Sequence, residues 1–369
     1  MKVIVIGLGG MGSAAAARLA ARGARVLGIE RFTPAHDRGS SHGRSRIIRQ
    51  AYFEGAQYVP LLLRAYELWR ELDPSLLHLV GGLMIGAPDS DVVTGSVAAA
   101  RTYGLAHEVL DAAEIRRRFP ELTPAEDVVA LYEPMAGFVV PEACTLAHLA
   151  RATKHGAELH FEEAVTSWSA STSGVSVTTT RAHYEADRLV IAPGAWAPEL
   201  LDLAVPFTIE RQALFWFDAP FPSQFPIYIW ELDRMVHFYG FPADAAGAKV
   251  ALYHGGDVCT PDTIDRSVRA EEVERIRAIL SSRIPALNGP LADATTCMYT
   301  NTPDLHFVLG LHPAHANVIV ASPCSGHGYK FASVIGEILA DLAIDGATRH
   351  PIEEFSPTRF GSERRRPGG

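Results

Sequence analysis

The chain has 369 residues, of which 48% are hydrophobic and 20% are charged, and its formal net charge at pH 7 is −9. This composition is typical of a globular protein of two or three domains and argues against a disordered or fibrous chain. Because an acidic chain lacks a broad basic surface, no nucleic-acid partner is expected. No apolar run reaches the roughly 18 residues that cross a bilayer, so no membrane association is expected either.

The four cysteines are Cys144, Cys259, Cys297 and Cys324. They are widely spaced and form no CxxC pair, which favours reduced thiols and no structural zinc or other metal site. Lys2 and the apolar residues after it resemble a secretory signal, but glycines interrupt that stretch at the spacing of a phosphate-binding turn. The sequence therefore favours a cytoplasmic protein.

The first elements predicted along the chain alternate between strand and helix. Residues 3–6 and 25–30 are short apolar runs, typical of strands buried on both faces of a parallel sheet. Between them, residues 13–22 are rich in alanine and predict a helix that Gly23 ends. Residues 58–72 carry apolar side chains at helical spacing and predict a second helix.

The rest of the chain mixes both kinds of element. Apolar, β-branched and aromatic runs predict strands at 82–86, 130–140, 158–161, 189–192, 207–217, 235–239, 250–253 and 318–321, with a hairpin around 175–184. Helical spacing predicts helices at 92–103, 113–119, 145–156, 270–280 and 331–342. This alternation predicts two domains that exchange the chain more than once, one of them with an antiparallel sheet.

A dinucleotide-binding turn is predicted directly after the first strand. Gly7, Gly9 and Gly12 form a GxGxxG pattern that opens the first helix, where glycines permit a tight turn and a close approach to a pyrophosphate. Glu30 ends the second strand, at about the spacing of a carboxylate that binds the adenosine ribose. The pattern alone leaves FAD and NAD open.

Longer motifs resemble one family of flavoproteins. Residues 39–49, GSSHGRSRIIR, resemble the segment after the second strand in the monomeric sarcosine oxidase and N-methyltryptophan oxidase family. The further matching motifs, in family order, are YVPL at 58–61, GAW at 194–196, FYGFP at 238–242, PDTI at 261–264, CMYT at 297–300 and SGHGYKF at 325–331. The resemblance covers nearly the whole chain and indicates FAD.

The resemblance implies a D-amino-acid-oxidase-like fold, which is α/β plus α+β. We expect a discontinuous Rossmann-type FAD-binding domain and an antiparallel-sheet substrate domain. The expected FAD-binding segments are 1–81, 143–212 and 300–369, and the expected substrate-domain segments are 82–142 and 213–299.

The resemblance also assigns residues to the cofactor. Cys297 is expected to bind FAD covalently at a flavin ring methyl, a role that suits a thiolate nucleophile. Without the CMYT motif a lone cysteine would be read as a core residue. The other expected cofactor-binding residues are Gly7, Gly9, Gly12, Glu30, Arg46, Gly326, Gly328 and Lys330.

Cations are expected near the substrate carboxylate and near the reduced ring. By the resemblance, Arg49 and Lys330 bind the substrate carboxylate, and an Arg fork suits that role. Lys249 matches the lysine that activates oxygen. The remaining catalytic residues implied by the family are His42, Arg46 and Tyr239, with Tyr239 also facing the substrate, although a structural role for His42 and Tyr239 stays open.

The chain departs from the family pattern at several positions. Tyr253 stands where related oxidases tend to carry a histidine, and His254 comes one place later. Ser41 and Arg44 replace an expected His and Asp, and Pro323-Cys324 replaces Gly-Phe. These differences affect the expected substrate pocket more than the FAD framework.

The sequence therefore predicts a flavoprotein oxidase of secondary amines. Sarcosine or another N-alkyl or cyclic amino acid would be oxidised to an imine that water hydrolyses, while O2 becomes H2O2. The expected partners are a small amino-acid substrate and O2, and a monomer is expected. Two alternatives stay open: an FAD-dependent dehydrogenase with another electron acceptor, and a dinucleotide-binding module without turnover.

Overall fold

The computed structural model describes residues 1–234 and 236–361. Its helices are α1 (Gly10–Ala21), α2 (Val59–Leu72), α3 (Asp91–Thr102), α4 (Ala112–Arg118), α5 (Pro141–Lys154), α6 (Ala197–Leu200), α7 (Ala270–Arg283) and α8 (Ala332–Asp345). Its strands up to residue 191 are β1 (Lys2–Ile6), β2 (Arg25–Ile29), β3 (Arg46–Ile48), β4 (Leu77–His78), β5 (Gly82–Gly86), β6 (Glu108–Leu110), β7 (Val129–Glu133), β8 (Gly137–Val139), β9 (Glu158–His160), β10 (Val165–Ser171), β11 (Gly174–Thr179), β12 (His183–Ala186) and β13 (Arg188–Ile191). The later strands are β14 (Thr208–Phe217), β15 (Ile227–Asp233), β16 (Val236–Asp244), β17 (Gly247–Tyr253), β18 (Val258–Cys259), β19 (Leu291–Asn301), β20 (Val308–His312) and β21 (His315–Ser322).

A six-stranded sheet carries the first strand and helix. Its order is β20-β21-β13-β1-β2-β9, and every pair except β20–β21 is parallel. Successive side chains of β1 point to opposite faces. Val3 and Val5 pack with the helices of one face, whereas Ile4 and Ile6 pack with the three-stranded sheet β10-β11-β12 on the other. Burial on both faces explains why β1 reads as a continuous apolar run.

Helices α1 and α8 lie side by side against that sheet. A Cβ atom at Gly336 of α8 would come within 2.6 Å of Ala14 of α1. Small residues allow the two helix backbones to approach this closely, which gives the alanine-rich sequence of α1 a packing reason. The close contact fixes α1, and with it the glycine turn at its N-terminus.

A second, larger sheet has the order β18-β14-β17-β16-β15-β5-β7-β6, with β19 also paired to β14. Its pairs are antiparallel, as predicted, apart from the parallel pair β5–β15. Helix α7 covers part of this sheet through the buried side chains of Ile276 and Leu280. A small sheet, β3-β8-β4, carries Arg46.

Most predicted elements are present, and several bounds are wrong. The predicted strand 130–140 is two strands, β7 and β8, because the chain turns between Glu133 and Gly137. Helix α1 begins three residues and helix α5 four residues before the predicted start, since glycine and Pro141 occupy their first turns without breaking them. Strands β3, β15, β19 and β20 are not predicted, and the predicted strand 235–239 starts at Met235, outside the described residues.

The two-domain division stays a prediction. The strands of the six-stranded sheet fall within the segments expected to bind FAD, but β14 and β19 of the large sheet cross the expected boundaries at 212/213 and 299/300. Residues 362–369 of the third segment lie outside the described part of the chain.

Candidate active site

A first cavity of about 190 Å³ opens at the glycine turn. Gly7 and Gly9 line it, and no side chain of the N-cap residue Gly9 covers the first turn of α1. Gly12 does not line the cavity; a Cβ there would lie 1.7 Å from the carbonyl oxygen of Gly7, so this glycine closes the turn on itself. The N-terminus of α1 is therefore open to an anion.

Glu30 lines the same cavity just after β2. Its carboxylate accepts hydrogen bonds from the backbone N–H of Leu8 at 2.8 Å and of Phe32 at 3.1 Å. The carboxylate is thus fixed at the edge of the cavity, as the spacing after Gly12 predicts. Gly326 and Gly328 also line this cavity, and Gly326 has a φ of +79° that favours glycine.

Cys297 and Arg46 lie at the junction of this cavity with a second one, since both residues line both cavities. A guanidinium nitrogen of Arg46 is 3.4 Å from Sγ of Cys297. Burial alone would raise the pKa of Cys297, but Arg46 and His42 lower it to about 6. The thiolate is therefore the main form at neutral pH. His42 is buried and lines neither cavity.

The second cavity has a volume of about 70 Å³ and brings together Arg49, Lys330 and Tyr239. Nζ of Lys330 donates to the carbonyl of His327 at 2.6 Å. Burial, followed by the charge of Arg49, lowers the pKa of Lys330 to about 7. Lys330 lines this second cavity and not the first, and its expected roles toward cofactor and substrate stay predictions.

The guanidinium of Arg49 is buried between two aromatic rings. It lies 4.3 Å from the ring centre of Tyr52 and 4.4 Å from that of Phe53. It donates to the carboxylate of Glu54, while its Nε is buried without a hydrogen-bond partner among the described residues. The guanidinium is thus held in place by Glu54 and the two rings, on the wall of the second cavity.

Lys249 lies behind the junction and lines neither cavity. Its Nζ donates to the carbonyl oxygens of Gly43 at 2.7 Å and Ser45 at 2.8 Å. It is also 4.8 Å from the ring centre of Phe241, which lines the second cavity. Burial and the charge of Arg46 hold the pKa of Lys249 well below its usual value.

Sequence reasoning missed part of this wall. Phe53, Glu54 and Tyr329 line the second cavity, and Ser41, noted only as a departure, accepts a hydrogen bond from the N–H of Gly10 at 3.0 Å. Tyr329 and Ser41 stand inside the family motifs, which could have indicated them, whereas Phe53 and Glu54 stand outside these motifs. Tyr253, which stands where related oxidases tend to carry a histidine, lines the second cavity.

Two further expectations concern metals and membranes. Among residues 1–234 and 236–361, no group of three or more His, Cys, Asp or Glu side chains is arranged to hold a metal ion. In the same residues, no helix is long and apolar enough to cross a membrane. All four cysteines are free.

Comparisons with known proteins agree with the fold. Residues 2–342 match the family model "FAD dependent oxidoreductase". The chain is 56% identical to monomeric sarcosine oxidase of Streptomyces avermitilis over 98% of both chains. It is 33% identical to N-methyl-L-tryptophan oxidase of Citrobacter koseri, over 97% of this chain and 98% of that one. Its structure resembles that of NikD, an unusual amino acid oxidase essential for nikkomycin biosynthesis, with a TM-score of 0.84, 27% identity and 96% of each chain covered. The predicted fold class is confirmed.

Proposed function

Because this chain belongs to the FAD-dependent oxidoreductases, and among them to the monomeric sarcosine oxidase family, we propose that it oxidises small secondary amines with O2. The substrate is sarcosine or another N-alkyl or cyclic amino acid, and the products are an imine, which water hydrolyses, and H2O2. The observation that carries this proposal is the meeting of the two cavities at Arg46 and Cys297.

The residues of the first cavity fit FAD. The open first turn of α1 suits a pyrophosphate, and the fixed carboxylate of Glu30 suits ribose hydroxyls. A Cβ at Gly10 would come within 2.7 Å of the Tyr329 ring, so this part of the wall has no room for a side chain at position 10. FAD, when bound, supplies an acceptor for the hydride equivalent of the amine and a donor of electrons to oxygen.

We propose that Cys297 holds FAD covalently. A thiolate is the nucleophilic form of cysteine, and Arg46 and His42 favour it. Cys144, by contrast, is buried in the apolar core, and burial raises its pKa to about 12. Of the thiols that line the first cavity, Cys324 has its pKa raised by burial to about 11, which leaves Cys297 as the reactive one.

Arg49 and Lys330 hold the substrate carboxylate in this proposal. Both are buried cations on the wall of the second cavity, where a charge-assisted hydrogen bond is stronger than in water. The cavity volume of about 70 Å³ is room for roughly five to seven waters, at about 10–15 Å³ each. That size favours a small amino acid over an indole-bearing one.

Lys249 stabilises the negative charge that develops when oxygen is reduced. It lies behind the junction with its ammonium fixed by two carbonyls, so its charge needs no reorganisation during the reaction. Arg46 adds positive charge beside Cys297, His42 also favours the thiolate of Cys297, and Tyr239 contributes an aromatic wall to the substrate cavity. The proposal includes a monomeric protein, as the name of its relatives suggests, and a cytoplasmic location.

An amine panel with peroxide detection tests this function. Sarcosine and a cyclic imino acid should each yield one H2O2 per amine consumed, whereas N-methyltryptophan should be a poor substrate because of the cavity size. A dehydrogenase would reduce an artificial dye without releasing peroxide in air. A binding module would leave the yellow colour unbleached by every amine under anaerobic conditions.

A further inference from the structure

A strained turn lies beside Lys249. The N–H of Ser45 donates to the carbonyl of Gly43 at 2.7 Å, which makes residues 43–45 a γ-turn with Arg44 at its centre. Arg44 has a φ of +67°, a region that residues other than glycine rarely adopt. Such a conformation costs free energy and persists only where its surroundings hold it.

Two charged side chains hold this turn, one through its N–H groups and the other through its carbonyls. Glu142, in the first turn of α5, accepts hydrogen bonds from the N–H of Gly43 at 2.7 Å and of Arg44 at 3.1 Å. Lys249 donates to the carbonyls of Gly43 and Ser45, at 2.7 and 2.8 Å. The carboxylate and the ammonium are thus linked through the backbone of three residues.

The second carboxylate oxygen of Glu142 is buried and has no hydrogen-bond partner among the described residues. Its negative charge therefore acts on the cations nearby, Lys249 and Arg46. The other charged or titratable groups that act on Lys249 are Arg46 of β3, Cys297 of β19 and Asp244 of β16. Of these, Arg46 opposes the ammonium form of Lys249, and Cys297 and Asp244, like Glu142, favour it.

We propose that Glu142 is a positioning residue for the oxygen half-reaction. It holds the 43–45 turn in its strained form, so that the turn fixes the ammonium of Lys249, and its negative charge beside the turn favours that ammonium over the neutral amine. This inference rests on the proposed function, because it assigns Glu142 a role through Lys249.

Two substitutions separate the two parts of this role. Glu142→Gln keeps an oxygen that accepts both N–H groups but removes the charge, so the pH above which reoxidation slows should move to lower pH. Glu142→Ala removes both, and it should slow reoxidation at neutral pH by ~10- to 100-fold, the range for a misplaced electrostatic group. Anaerobic reduction by the amine should change much less in both variants.

Glu133 provides a matched control. It is a buried carboxylate that also accepts two successive backbone N–H groups, those of Gln50 at 2.8 Å and Ala51 at 2.9 Å. Glu133→Gln should leave the pH dependence of reoxidation where it is. If it moves that pH dependence as Glu142→Gln does, the effect reflects loss of any buried carboxylate and the proposal is wrong.

Hydrogen exchange gives a readout independent of turnover. The amides of Gly43 and Arg44 should be protected in the holoprotein, and Glu142→Ala should speed their exchange while Glu133→Gln does not. Unchanged exchange in Glu142→Ala would show that the carboxylate does not hold the turn.

A double-mutant cycle with Lys249→Met completes the test. If Glu142 acts through Lys249, adding Glu142→Ala to Lys249→Met should slow reoxidation little further. Fully additive effects would overturn the inference. If Lys249→Met by itself leaves reoxidation unchanged, the proposed role of Lys249 fails, an outcome distinct from the failure of Glu142 alone.

Discussion

Two buried arginines change the ionisation of two residues of the site, Cys297 and Lys330. Arg46 stabilises the thiolate of Cys297, and Arg49 destabilises the ammonium of Lys330. Both effects are strong because the groups are removed from water. The lowered pKa of Lys330 places its titration near neutral pH, where it can be measured in the native protein.

Carboxylate binding should weaken as the pH rises through about 7. The pKa of Lys330 is lowered in the empty site, so its ammonium is present below that pH and is lost above it. A simple carboxylate inhibitor such as acetate isolates the effect, because it carries no titrating amine. Its dissociation constant, followed through the FAD spectrum, should rise between pH 6 and 9. The same titration on Lys330→Met should be flat, and a flat titration of the unmutated protein would contradict the assignment.

Cys297→Ser should release FAD when the protein is precipitated with acid, whereas the unmutated protein should keep its yellow colour. The reason is that serine has no anionic nucleophile near neutral pH, while Cys297 has one. Cys324→Ser is the control, because this thiol lines the same cavity but has a raised pKa. Release of FAD from the unmutated protein would show that the link does not exist.

At the residue scale the sequence identified several residues inside long motifs. It missed Glu54 and Glu142, which stand outside the motifs, and also Tyr329, which stands inside one. Arg46, Arg49, Cys297 and Lys330 stand in motifs, and the structure brings them to one junction. Glu142 lies in the first turn of a helix, where an acidic residue is common and indicates no particular function. Folding brings it to Gly43, which is 99 residues away in sequence. No local pattern marks a contact of that kind.

Among the elements, the glycine turn at the start of α1 tolerates little change. Gly12→Ala would place a Cβ 1.7 Å from the backbone oxygen of Gly7, and backbone cannot move aside as a flexible side chain can. We expect this variant to lose FAD and part of its stability. Gly39→Ala is the control, because its Cβ would meet only the end of the His36 side chain, at 3.3 Å.

FAD content per polypeptide and the thermal unfolding midpoint measure both effects. Gly39→Ala should retain FAD and unfold near the unmutated midpoint. If Gly12→Ala retains a full complement of FAD at an unchanged midpoint, the described turn geometry is wrong.

Elements with a local signal were predicted, and elements formed by distant pairing were not. β1, β2 and β13 are apolar because both of their faces are buried. β19 is exposed at its first three residues, and it is a strand because β14 pairs with it from Thr208 to Phe217. Since that partner is about 80 residues away in sequence, periodicity alone does not indicate the pairing.

At the scale of the whole molecule, the chain returns to each sheet several times. The six-stranded sheet takes strands from residues 2 to 29, from 158 to 191 and from 308 to 322. The order of family motifs indicated this exchange, but the small sheet β3-β8-β4 that places Arg46 at the junction was not predicted. Its strands have only two or three residues, too few to show a period.

The two halves of the proposed reaction use different cations of this junction. Arg49 and Lys330 lie on the substrate cavity, and Lys249 lies behind it, held by the 43–45 turn. A charge removed on one side should therefore affect one half-reaction and spare the other. Lys249→Met keeps a similar length and an apolar stem while deleting the charge.

Stopped-flow measurement of both half-reactions in the unmutated protein and in Lys249→Met tests this account most directly. Anaerobic reduction by sarcosine should proceed at a similar rate in both proteins. Reoxidation by O2 should be slower in Lys249→Met by ~10²–10³, the usual cost of losing one preorganised electrostatic partner. Reoxidation at the unmutated rate, or an equal loss in both half-reactions, would contradict the assignment of oxygen reduction to Lys249.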